Sequence, residues 1–301
     1  MDKARILRSV VGVRTAIPDG AFTAPALGTL REGSGIVIRE DGLVLTIGYL
    51  ITEAEEVWLT ATGGRVVPGH ALAYDQETGF GLIQALGPLD CPALVLGDSA
   101  KVKLGDPVLA ADGHGQTTEA MIVAKQEFAG YWEYLLDEAL FTAPAHPSWG
   151  GAAFVDQNGM LLGVGSLKLE MSRGADTSDI NMVVPINLLR PILDDLLTRG
   201  KVDKPPRPWL GAITAESNGD VVVVSVAPDG PAAKAGMKGG DIISEVRDEE
   251  ISGLADFYRH VWKSGAAGAE IPLRVLREGR ETWLRVKSAD RDSFLKRPQL
   301  Q

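Results

Sequence analysis

The sequence predicts a mainly β chain: an antiparallel barrel or sandwich followed by a smaller unit that mixes strands with helix. Three observations predict this. From about residue 33 to 185, short apolar runs of strand length alternate with Gly, Asp and Pro. No long helical pattern interrupts them, which argues against an alternating α/β sheet. A stretch rich in proline and charge, residues 201–208, then separates this part from the rest and has the composition of a semi-rigid linker.

The first strands are read at 36–38 and 43–47, joined by the turn Glu40-Asp41-Gly42, and further ones at 57–61, 65–67, 80–85, 108–111, 120–125, 139–142, 160–164 and 182–184. Leu189, Ile192, Leu193, Leu196 and Leu197 then recur at the spacing of one buried helix face, with Asn187 as N-cap, Pro191 in the first turn and Gly200 as the stop. In the second unit a run at 221–224 and the Gly239-Gly240-Asp241 turn precede a strand at 242–246. Leu254, Phe257, Tyr258, Val261 and Trp262 predict an amphipathic helix ending by Gly265. Strands at 271–276 and 282–286 close around Glu278-Gly279, and a basic-polar tail from Asp290 is expected to be loose.

Composition narrows the function. The 301 residues carry 30 Lys+Arg against 40 Asp+Glu, a formal charge of −10, which gives no support to phosphate-backbone binding. One cysteine, Cys91, forms no internal disulfide or thiolate cluster, and four scattered histidines suggest no zinc site; no metal and no cofactor is expected. No run reaches the roughly 18 apolar residues of a membrane span. Lys3, Arg5 and Arg8 precede an apolar stretch from Val10, but Arg14, Pro18 and Asp19 break it. No export signal is read there, and a cytoplasmic location is expected.

Taken together, several segments resemble the HtrA-type (DegP-like) serine proteases: GSGIVIREDGLVLT at 33–46, LGDSAKVKLGDPVLA at 96–110, FVDQNGMLLGVGS at 154–166, INMVVPINLLRPILDDLLTRGKV at 180–202, PWLGA at 208–212 and APDGPAAKAGMKGGDII at 227–243. The resemblance implies a chymotrypsin-like double β-barrel over 1–200, a linker at 201–207, a PDZ domain (α+β) over 208–290 and a tail at 291–301. It also implies a serine endopeptidase acting in protein quality control, and a trimer formed through the segment 14–30, where Phe22 lies.

A protease of this kind needs a histidine base, an aspartate that fixes its tautomer, and a serine nucleophile. Aligned with the family's pattern, Thr46-Ile47-Gly48-Tyr49 puts Tyr49 at the histidine position, Thr78-Gly79-Phe80 puts Gly79 at the aspartate position, and the stretch from His146 to Ala153 puts Gly150 at the serine position. A phenol is a poor base at neutral pH and glycine has no side chain to react. Asp75 and Glu77 are the nearest substitute carboxylates, and Ser148 with His146 the nearest substitute nucleophile and base, although Pro147 between them hinders contact and Ser148 aligns with a glycine of the oxyanion hole. The expectation is a catalytically inactive homologue that binds polypeptide C-termini or unfolded proteins. An active endopeptidase with a rearranged site, and an oligomer subunit without a peptide ligand, are the alternatives.

PDZ modules capture a peptide by adding it as a strand and holding its carboxylate on successive backbone N–H groups. The resemblance assigns the carboxylate donors to Leu210, Gly211 and Ala212, and the groove to Ile213 on the strand and Phe257, Tyr258 and Val261 on the helix. His70 and His114 are read as solvated or structural, His260 as solvent-facing with peptide contact as the alternative, the carboxylate pairs Asp194-Asp195 and Asp248-Glu249-Glu250 as a helix surface and a turn, and the glycines at 33–35, 63–64 and 239–240 as turns. The aromatics Phe128, Tyr131, Trp132 and Tyr134, interleaved with Glu127 and Glu133, fit a partner surface and core packing equally well.

Overall fold

A computed structural model describes residues 2–173 and 176–296. The chain divides into two compact units: unit 1 contains residues 1–126, 138–203 and 296–301, and unit 2 contains 127–137 and 204–295. The second unit is therefore not contiguous in sequence. Eleven residues that the sequence boundaries assign to the barrels cluster instead with the C-terminal part.

Unit 1 holds two closed six-stranded antiparallel barrels. The first contains β1 (Val10–Ala16), β2 (Leu30–Val37), β3 (Leu43–Ile47), β4 (Glu56–Thr60), β5 (Val66–Tyr74) and β6 (Phe80–Ala85), in the order β1-β2-β3-β6-β5-β4. Val44, Leu45, Leu59, Phe80, Leu82 and Ile83 are fully buried at its centre. The second contains β7 (Pro107–Ala111), β8 (Thr117–Gly130), β9 (Tyr134–Ala143), β10 (Ala153–Val155), β11 (Leu161–Arg173) and β12 (Asp176–Pro185), in the order β10-β11-β12-β9-β8-β7. Closure removes the unpaired edges that open sheets must protect.

Several expectations are corrected here. The stretch from Val10, judged only as a failed export signal, is β1 and pairs with both β2 and β4. Gly33 and Gly35 lie inside β2, not in a turn. Small residues are required there because a Cβ on Gly33 would sit 2.6 Å from the Gly150 oxygen, and one on Gly35 2.5 Å from a Val44 methyl. Asn187 caps no helix: its side-chain oxygen accepts from Ser99 N–H, and residues 186–188 form a single 3₁₀ turn. The α-helix covers only Leu193–Arg199, starting after Pro191, which has no N–H to give, and ending at Gly200 in the left-handed conformation. The segment after Asp290 is ordered as far as it is described: Phe294 packs on Trp209 at 4.9 Å between ring centres and Lys296 N–H donates to Glu53. Residues 297–301 of that tail lie outside the described residues. In the segment 14–30, Phe22 and Thr23 N–H groups also donate to buried Glu53, at 2.9 and 2.7 Å.

In unit 2 a sheet runs β13 (Ala212–Ser217), β14 (Asp220–Val226), β15 (Ile242–Val246), then a strand at Glu270–Arg277 and one at Arg280–Lys287. The helix Leu254–Lys263 buries Leu254, Phe257, Tyr258 and Val261 against it, the face its period predicts. β13 ends the strand order.

Candidate functional site

Two places in the chain gather the residues singled out in the sequence. The first lies in unit 1, where Tyr49, Gly79 and Gly150 come close together. Gly48, on the one-turn helix after β3, donates its N–H to the Gly79 carbonyl at 2.7 Å, joining the segment that carries Tyr49 to the one that carries Gly79. The Tyr49 hydroxyl reaches to Gly150, so that a Cβ added there would stand 2.8 Å from it. That hydroxyl donates to the Ser166 carbonyl at 2.9 Å and is also bonded to the Trp149 side chain. Burial pushes the phenol's pKa well above its ordinary value, so it stays protonated and serves as a donor. Removing it in Tyr49→Phe leaves the Ser166 carbonyl short of a donor, with an expected loss of about 1 kcal/mol in stability, to be read from urea unfolding.

The backbone around Gly150 is locked by hydrogen bonds from both sides. Ser34 N–H donates to the Gly150 carbonyl at 2.8 Å, and Gly151 N–H to that of Gly165 at 2.9 Å. Gly151 has φ +77, and a Cβ there would come within 1.9 Å of the Ser34 oxygen.

The substitute groups are engaged elsewhere. Asp75 accepts from Thr78 N–H and Oγ1, at 2.8 and 2.7 Å, within its own turn. His146 does not address Ser148: its Nδ1 lies 2.7 Å from Thr118 Oγ1, and its Nε2 lies 3.2 Å from Asp112 Oδ2 without the alignment of a hydrogen bond. Both His146 and Asp112 are fully buried. The histidine's own N–H is fixed by Asn181 Oδ1 at 2.6 Å. This Thr-His-Asp chain went unread in the sequence because its members are spread over 112–146 and none is flanked by a recognised motif. Of the other histidines, His260 lies between Glu249 and Asp256, at 2.9 and 3.1 Å. Among the described residues no cluster of three or more His, Cys, Asp or Glu is arranged to hold a metal ion.

The second place is the turn before β13 in unit 2. Gly211, at φ +74, lets three successive N–H groups point one way. They converge on a single carboxylate, that of Glu133. Leu210 donates to Oε1 and Oε2 at 3.2 and 3.0 Å, Gly211 to Oε1 at 2.7 Å and Ala212 to Oε1 at 3.2 Å. Beside them Thr214 N–H, on the β13 edge, donates to the Tyr131 carbonyl at 3.0 Å. Tyr258 ties the arrangement to the helix: its hydroxyl donates to the Gly130 carbonyl at 2.8 Å, accepts from Glu133 N–H at 3.3 Å and lies 2.9 Å from Thr214 Oγ1. Leu135 is buried in the same apolar cluster as Leu210, Phe257, Tyr258 and Val261. Ile213 is half-buried on the strand. The aromatic group resolves within this unit: Trp132 stacks on Tyr134 at 5.5 Å, and Tyr131 remains exposed.

Desolvation raises the Glu133 carboxyl to about 7, against the four N–H bonds and the charge of Arg291, which favour the ionised form. Arg259, bonded to Glu127 and Asp137, flanks the same hairpin tip.

Comparison with known proteins agrees with this architecture. Residues 33–164 match the trypsin-like peptidase domain family, and residues 208–287 match the PDZ domain family. A Pseudomonas putida protein named "Probable periplasmic serine endoprotease DegP-like" is 28% identical over 82% of this chain and 53% of its own length. Escherichia coli "Periplasmic pH-dependent serine endoprotease DegQ" is 26% identical over 82% of this chain and 57% of its own. The chain thus spans a little over half the length of these relatives. Among solved structures, that of "HtrA-type protease AlgW with decapeptide" superimposes with a TM-score of 0.56 at 22% identity, covering 99% of this chain and 100% of that one. The relatives' periplasmic names overturn the cytoplasmic expectation, and the broken apolar stretch on which it rested is a barrel strand. The chain thus carries a region similar to the trypsin-like peptidase domain followed by one similar to the PDZ domain, and it resembles DegP-like proteins over most of its length.

Proposed function

We propose that this protein is a non-hydrolysing homologue of the serine endoproteases it resembles, exported as they are, and that it engages polypeptide termini through its PDZ unit. One observation carries the first half: where positions 49, 79 and 150 come together stands a half-buried tyrosine, held protonated and bonded to Ser166, facing a glycine. Acyl transfer needs an attacking oxygen and a base within hydrogen-bond reach of it. Tyr49 offers a phenol whose hydrogen bonds run to the Ser166 carbonyl and the Trp149 side chain, neither of them a base, and Gly79 and Gly150 have no side chain. The second half is supported by the turn at Leu210–Ala212, whose three N–H donors already hold a carboxylate, and by β13, which ends the strand order of its sheet. Self-association through residues 14–30, where Leu27 and Leu30 are exposed, belongs to the same proposal and is read by sedimentation.

A second reading has one observation in its favour, the Thr118–His146–Asp112 chain, in which a hydroxyl meets an imidazole. Its imidazole is fully buried, with each ring nitrogen facing one of those two neighbours, so no incoming carbonyl reaches the base. Incubation with unfolded casein and labelling by a fluorophosphonate decide between the readings. No cleavage and no label are expected; cleavage abolished by Thr118→Ala or Ser148→Ala would establish an active enzyme.

A further inference from the structure

The groove of unit 2 holds a piece of this same chain, and that piece has the chemistry of a bound C-terminus. A PDZ ligand offers a terminal carboxylate to a turn of N–H groups, backbone groups to the edge strand and an apolar terminal side chain to a pocket. The tip of the β8–β9 hairpin offers the same three things from an internal sequence. Glu133 gives a carboxylate to Leu210, Gly211 and Ala212, Tyr131 gives its carbonyl to Thr214 N–H, and Leu135 gives an aliphatic side chain to the cluster of Leu210, Phe257 and Val261. Glu133 itself has φ +57, in the left-handed region that non-glycine residues seldom occupy. It is also only 7% exposed and is held there by backbone N–H groups.

We infer that the hairpin tip is a tethered ligand of the carboxylate-binding turn, with the Glu133 side chain in the place of a terminal carboxylate, so that an outside polypeptide C-terminus binds only by displacing it. The competitor half of this inference rests on the peptide-binding reading above; the tether itself does not. A tethered segment competes at a high effective concentration. If it is seated nine times in ten, an outside peptide binds about tenfold more weakly than to the open groove.

The test uses the full chain and its Glu133→Ala variant. Amide hydrogen exchange reads the tether, and a dye-labelled decapeptide ending in leucine with a free carboxylate, beside its C-terminal amide twin, reads the groove. Exchange protection at Leu210, Gly211, Ala212 and Thr214 is expected to fall about tenfold or more in Glu133→Ala, while the barrel amides of Val44 and Leu82 are unchanged. The carboxylate peptide is expected to bind the variant about tenfold more tightly than the wild type, and the amide twin to gain nothing. Unchanged protection in the variant, or equal peptide affinity for both proteins, overturns the inference. If protection falls and the peptide binds neither protein, the tether is upheld and the peptide-binding reading is what fails. Should Glu133→Ala not fold, shown by loss of barrel protection, Leu135→Ala carries the same comparison.

Discussion

Gly151→Ala is expected to destabilise unit 1 by about 3 kcal/mol or more. Two effects add: the left-handed φ of +77 costs an alanine about 1 kcal/mol relative to glycine, and the new methyl overlaps a backbone oxygen at 1.9 Å, a contact that must be relieved by moving main chain. The Ser34 oxygen cannot simply retreat. It is the acceptor for Thr46 Oγ1 at 2.7 Å, and Ser34 N–H is bonded to the Gly150 carbonyl. For a unit of about 200 residues the loss corresponds to a drop of roughly 6–12 °C in Tm. Thermal unfolding followed by circular dichroism checks it, and a drop below about 2 °C would mean that the loop at 150–151 yields more easily than its hydrogen bonds indicate.

Raising the pH from 5 to 8 is expected to loosen the hairpin tip. The sign follows from Glu133, whose carboxyl is raised from 4.5 to about 7 when seated. Below pH 4.5 the seated and released forms both carry the proton and seating is at full strength. Between 4.5 and about 7 only the seated form holds it, so seating weakens as pH rises, and above 7 it levels off. The span of about 2.5 pH units corresponds to about 3 kcal/mol, or two to three powers of ten in the seating equilibrium. The groups facing Glu133 do not reverse this sign. The charge of Arg291 favours the ionised carboxyl, the Tyr258 hydroxyl is pushed up by burial, and Arg259, itself raised by its bonds to Asp137 and Glu127, lies at the flank. Protection factors at Leu210–Ala212, corrected for the intrinsic rise of exchange with pH, are the measurement. They should fall across this range in the wild type and stay flat in Glu133→Gln; a flat profile in the wild type contradicts the assignment.

Much of the fold was legible because burial writes itself into short periods. Leu254, Phe257, Tyr258 and Val261 recur at helical spacing and are the buried face of that helix. The turn residues around Gly42 and Gly279 mark hairpins that the sheets contain. β1 was hidden because Val10, Val11, Gly12 and Val13 are all buried, a continuous apolar run without the alternation of a half-exposed strand. The helix after Pro185 was overextended because leucine spacing continues through Pro191, whereas the hydrogen-bond ladder does not.

The positions aligned with a triad were readable residue by residue, yet Tyr49's bond to Ser166 was not, since 117 residues separate them. Glu133 left one faint signal, an acid set among Phe128, Tyr131, Trp132, Tyr134, Leu135 and Leu136. No spacing rule connects it to donors nearly eighty residues downstream.

The contact between Tyr49 and Gly150 has a consequence for engineering: a Cβ at 150 would stand 2.8 Å from the phenol oxygen, so a serine placed there is accommodated only if the Tyr49 ring shifts or is replaced in the same variant.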